Sequence, residues 1–181
     1  MFTLTTTELT ILGLVGTWAL VIGTLVLMYW QTRKSQRLNS ANAIMALRER
    51  FDSAYMRQRR KALSTALLQH TYEDIINIEV GAFFELVGSL THRKVLDEDL
   101  VWEAFGTWIT AYFQALRQPV DVLGRARHDL EDPLLLHDFE WLNDRMRHMD
   151  QRMLGHRHTS LLLSDNEVRG VLQRDRNLET T

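Results

Sequence analysis

Arg60 is the residue whose setting most calls for chemistry. It falls on the stripe Met56, Arg60, Leu63, Leu67, which steps by 4, 3, 4 and so forms one face of a helix. A guanidinium on an apolar face is costly unless it is paired or binds something. Glu85 is its counterpart, because it lies among Gly81, Ala82, Gly88 and Ser89, small residues that let another helix come close. Planar bidentate pairing suits arginine, so a structural ion pair between Arg60 and Glu85 is one expectation. The other is that Arg60, with Arg57, Arg59 or Arg125, faces an anionic ligand.

Other chemistries have less to stand on. The chain has no cysteine, which removes thiolate catalysis, Cys-ligated zinc and iron–sulfur clusters and fits a reducing cytoplasm. Among seven histidines, His156 and His158 lie two apart in a Gly-containing linker, and His137 with Asp138 sits in the first turns of a helix; no HExxH spacing occurs. Phosphate-loop, dinucleotide and nucleophile-elbow motifs are missing as well. Neither a metal nor a cofactor is expected. Trp102, Trp108, Tyr112, Phe113 and Trp141 recur at helical spacing and read as core more readily than as a base-stacking surface. An isoelectric point near 6.4 argues against direct nucleic-acid binding.

The elements that must position Arg60 begin with an apolar run. Residues Leu9 to Trp30 hold 22 residues and no charge; at about 1.5 Å per residue such a helix spans a bilayer core of ~30 Å. Tyr29 and Trp30 suit the headgroup interface, and Arg33, Lys34 and Arg37 mark the inner side. All 21 Lys and Arg follow residue 31, so the N-terminus is expected outside and the rest in the cytoplasm. A cleaved signal peptide fits less well, for want of a basic n-region and a small-x-small cleavage site. Within the run, Gly13, Gly16, Thr17, Gly23 and Thr24 share one arc of about 140° at the 3.6-residue period, a face suited to self-association.

Behind the anchor the pattern is all-α, with about five to six helices in one domain over residues 41–154. It follows an outer segment 1–8, the span 9–30 and a basic segment 31–40; a linker, short helix and tail fill 155–181. Asn39 or Ser40 and then Asp52-Ser53 are candidate caps, and a helix over 72–90 reads as central. Asp97 caps a helix ending before Pro119, and Val120 to His128 forms a short one. Pro133 opens a longer helix with the stripe Leu135, Phe139, Leu142, Met146, Met149, Met153. Ser164 and Glu167 make a capping box. Residues 33–61 carry nine cations against Glu49 and Asp52, and 72–103 carry eight acids against Arg93 and Lys94. That division suits helices that attract one another, or a basic segment drawn to anionic lipid.

The segments LRERFDSAYMRQRRKALSTALL, VGAFFELVGSL, LDEDLVWEAFGTWITAYF and DFEWLNDRM resemble a bacterial family of unknown function, the DUF4760 type. The resemblance implies one N-terminal anchor and a helical cytoplasmic portion at the bacterial inner membrane, and brings no activity. The leading functional expectation is a non-enzymatic, single-pass membrane protein that contacts lipid, self-associates and binds a protein partner. The alternative is an oligomeric sensor-effector of the phage-defence type, binding an anionic ligand such as a nucleotide second messenger.

Overall fold

The computed structural model describes residues 6–71, 79–118, 120–154 and 163–178, and the side chains of 6–17, 19, 32, 33, 36, 153 and 154 lie outside that description. The described residues are helical, with no strand among them. Seven helices follow in order: α1 (Thr6–Phe51), α2 (Ala54–Gln69), α3 (Glu79–His92), α4 (Glu98–Arg117), α5 (Val122–Asp129), α6 (His137–Leu154) and α7 (Asp165–Arg176). The chain divides into two compact units, Met1–Asn39 and Ser40–Thr181.

In the first unit, Trp18, Leu20, Val21, Ile22 and every residue from Gly23 to Trp30 are exposed. Among the described residues no helix is long and apolar enough to cross a membrane. The run 9–30 begins in residues whose side chains are not described, and so do Gly13, Gly16 and Thr17 of the self-association face. Arg33 also lies outside the described side chains, whereas Tyr29, Trp30, Lys34 and Arg37 are exposed.

The second unit is a bundle whose helix boundaries are mostly set by local caps. Ser53 accepts from the Met56 amide at 3.3 Å to start α2, and Asp97 accepts from the amides of Asp99 and Leu100 at 3.0 and 3.4 Å to start α4. Ser164 and Glu167 form the reciprocal capping box of α7. Ser40 is not a cap. It sits inside α1, buried, and its hydroxyl accepts the Asp97 amide at 2.7 Å, tying α1 to the start of α4. α6 starts four residues later than Pro133 suggests. Asp132 holds the amides of Leu134 and Leu135 in a turn, and Leu136 takes a left-handed φ of 56° that a helix does not accommodate.

The central helix is α4, not the helix expected over 72–90, of which α3 is the described part. α4 packs against α3, α5, α6 and α7, and Ile109 to Leu116 are buried without a break. Around it lies an aromatic cluster in which Phe51 meets Phe83, Phe84, Phe105 and Trp108 at centroid distances of 5.2 to 5.6 Å. Phe139 of α6 stacks on Phe84 at 5.2 Å. α7 belongs to this unit too: Val168, Val171 and Leu172 are buried against α2 and α4. The short helix expected within 155–181 is thus α7, packed as part of this unit.

The acid-rich and base-rich stretches meet at Arg59 and Glu79. Arg59 pairs with Glu79 at 2.8 Å, but Glu98 and Asp99 pair with Arg145 and Arg152 of α6 at 2.7 and 2.9 Å. All are exposed or half-exposed pairs, each worth about 0–1 kcal/mol.

Candidate functional site

Met56, Arg60, Leu63 and Leu67 are all buried, as a single stripe requires. Arg60 is 2% exposed, so its charge must be answered inside the protein. The partner is Asp175 of α7. One guanidinium nitrogen lies 3.4 Å from Asp175 Oδ1, and another lies 3.7 Å from Oδ1 of the exposed Asp52. The guanidinium carbon sits 4.0 Å from the centroid of the Phe51 ring, a cation–π contact. Nε has no hydrogen-bond partner among the described residues.

The other oxygen of Asp175 is also used. Tyr112 of α4 donates its hydroxyl to Asp175 Oδ2 at 2.6 Å, and Ser64 of α2 lies 2.9 Å from the Tyr112 oxygen. Because the Tyr112 proton is committed to Asp175, Ser64 is the donor in that second bond. Four polar side chains from α2, α4 and α7 thus form one chain, Arg60–Asp175–Tyr112–Ser64, none more than 2% exposed. Such a network is costly when incomplete and fixes a unique packing when satisfied.

Burial pushes the Tyr112 hydroxyl well above the usual tyrosine range, and the neighbouring Asp175 charge pushes it further. The sign of the consequence follows from linkage. Above about pH 10 the unfolded chain releases this proton while the folded chain retains it, so the contribution is present below that pH and is lost as pH rises. Stability should fall by up to about 1.4 kcal/mol per pH unit from this group. Urea titrations between pH 9 and 11 on the wild type and Tyr112→Phe check this: the variant should start less stable and show the shallower loss.

The Arg60–Glu85 pair does not form. Glu85 instead accepts the backbone amides of Asp138 and Phe139, at 3.2 and 2.7 Å. It caps α6 from another helix, placing a carboxylate at the positive end of the helix dipole. The small residues do allow a close approach, but by α6: a Cβ at Gly88 would run into the Asp138 carbonyl. The anionic-ligand set is likewise not assembled. Arg60 is sealed beside Asp175, while Arg125 is exposed on α5 in an open hollow with Asp121, Gly124 and His128. Arg57 is half-buried on α2, and its Nε has no acceptor among the described residues.

Sequence reasoning missed Asp175, Tyr112 and Ser64 as members of the network. The signal for Asp175 was available: it lies on the stripe Val168, Val171, Leu172, Asp175 and is as anomalous there as Arg60 is on α2. Among the described residues no group of three His, Asp or Glu could hold a metal ion.

The family model for a domain of unknown function, DUF4760, matches residues 10–146. The chain belongs to the DUF4760 family. The match takes in Arg60, Ser64, Glu85 and Tyr112, while Asp175 falls beyond its end. No curated protein and no solved structure matches the chain.

Proposed function

We propose that this DUF4760 protein is a membrane-anchored helical interaction module without enzymatic activity. The observation that carries the reading is the exposed apolar surface of the first unit. Trp18, Leu20, Leu25, Leu27, Met28 and Trp30 are each 60% or more exposed, and residues 9–30 contain no charge. An apolar surface of that kind needs a bilayer or another protein to cover it. The bias in Lys and Arg supports a single pass at a bacterial inner membrane, with residues 40–181 on the cytoplasmic side. Self-association of the anchor is part of the proposal. A Cβ at Gly23 would meet nothing within 4 Å, and the Thr24 hydroxyl turns back to the Leu20 carbonyl at 2.8 Å, leaving a small-residue surface open.

Membrane fractions extracted with alkaline carbonate test the anchor. The wild-type chain should stay in the pellet and require detergent for release, and Leu20→Arg with Leu25→Arg should move it to the supernatant. Release of the wild type by carbonate alone would defeat the proposal. An impermeant thiol reagent should label Thr3→Cys in intact cells in preference to Thr180→Cys.

The sensor-effector alternative is favoured by one observation, the acceptor-free Nε of Arg57. An anionic ligand would centre on Arg57 and not on Arg60, whose charge is offset by Asp175.

A further inference from the structure

Beyond its uncharged run, α1 leaves two large apolar side chains in solvent. Among the described residues after Trp30 these are Leu38, 59% exposed, and Met45, 70% exposed. They lie seven residues apart on one helix, so they share a face after two turns. The other side of α1 is already in use, because Ser40, Ile44 and Phe51 are buried.

Scattered apolar residues on a surface need no explanation, but the phase of these two does. At about 100° per residue, Leu38 and Met45 fall within the arc of Gly13, Gly16, Thr17, Gly23 and Thr24. The face suited to self-association in the anchor therefore continues past the end of the uncharged run. Gln31, Ser35, Leu38, Asn42 and Met45 step by 4, 3, 4, 3, and all are exposed. That alternation is the spacing of a coiled-coil seam.

We propose that a second copy of this chain covers the face, pairing in parallel along α1 with Leu38 against Leu38 and Met45 against Met45. The inference rests on the membrane reading: two anchors inserted in one direction bring identical faces together, and a parallel pair continues their contact. Asn42 lies between the two apolar layers, where a paired asparagine fixes register and favours two strands. Beside the seam, Lys34 faces Asn39 of the second copy and Ala41 faces its Ala46, so no like charges meet there. With Gln31 and Ser35 in the seam the pairing is weak by itself. The anchor supplies the effective concentration that completes it.

The chain has no cysteine, so single replacements report contacts one position at a time. The test oxidises the full chain with copper phenanthroline in carbonate-washed membranes. Leu38→Cys, Asn42→Cys and Met45→Cys should give about tenfold more disulfide-linked dimer than Arg37→Cys and Arg50→Cys, because a disulfide needs Cα atoms within roughly 7 Å. Arg37 and Arg50 are also exposed but lie off the face. Adding Leu38→Glu and Met45→Glu to Asn42→Cys should reduce its dimer to the level of Arg50→Cys. Gly23→Cys reports the anchor separately. Dimer at Gly23→Cys, with no preference for Leu38, Asn42 and Met45 over Arg37 and Arg50, would overturn this pairing and leave the anchor reading intact. Dimer at Asn42→Cys that withstands the two glutamates would overturn it as well. Loss of the chain on washing would instead defeat the membrane reading, and this inference with it.

Discussion

Asp175→Asn should destabilise the bundle by about 3–5 kcal/mol, the cost of leaving one charge of a buried pair without its partner. Arg60 would keep only Asp52, at 3.7 Å and itself exposed, and a solvated carboxylate compensates a buried guanidinium poorly. Against a total stability of about 5–15 kcal/mol the loss is large. It should appear as a lower urea midpoint with an unchanged slope, since the surface exposed on unfolding is unaltered. The double replacement Arg60→Met with Asp175→Leu should recover part of the loss, because no orphan charge remains. A double variant less stable than Asp175→Asn would mean that the four-residue chain does not act as a unit.

Glu85→Ala should cost about 2–3 kcal/mol, through two amides that lose a charged acceptor. The site is half-buried, and water replaces the carboxylate incompletely. Hydrogen exchange distinguishes this from a general loss of packing. The amides of Asp138 and Phe139 should lose protection more than those of the α3 interior. Glu85→Gln, which retains an acceptor but not the charge, should lose about half as much. If Glu85→Ala leaves exchange in the first turn of α6 unchanged, the cap carries no energy.

These two sites also show what a reader of the sequence could and could not find. Ser53, Asp97 and Ser164 were legible because each bonds to amides two or three residues away, within its own stretch of chain. The charge of Arg60 on an apolar stripe was legible for the same reason. Its partner was not paired with it, because Asp175 is 115 residues away: its place on the stripe Val168, Val171, Leu172 marks it as anomalous, but nothing in the sequence ties it to Arg60. Glu85 was recognised as a constrained carboxylate among small residues, and Gly88 does mark a close approach. Only the identity of the approaching helix was misread. A backbone amide leaves no sign in the sequence that it needs a remote cap, so Asp138 and Phe139 were invisible as the recipients. Ser40 misled in the opposite direction: a good cap residue inside a continuous helix uses its hydroxyl on another element.

The sequence separation of 115 from Arg60 to Asp175 also sets an order of events during synthesis. At about 5–20 residues per second, a ribosome needs roughly 6–23 s to deliver Asp175 after Arg60 has been added. Throughout that interval α2 has its arginine but not the carboxylate that neutralises it, so sealing that helix into a finished core is unfavourable. Contacts between α1, α3, α4 and α6 can form earlier, because their partners emerge sooner. Final closure waits for α7, and until then the nascent chain presents an open seam along α2 and α4 that chaperones and proteases can reach.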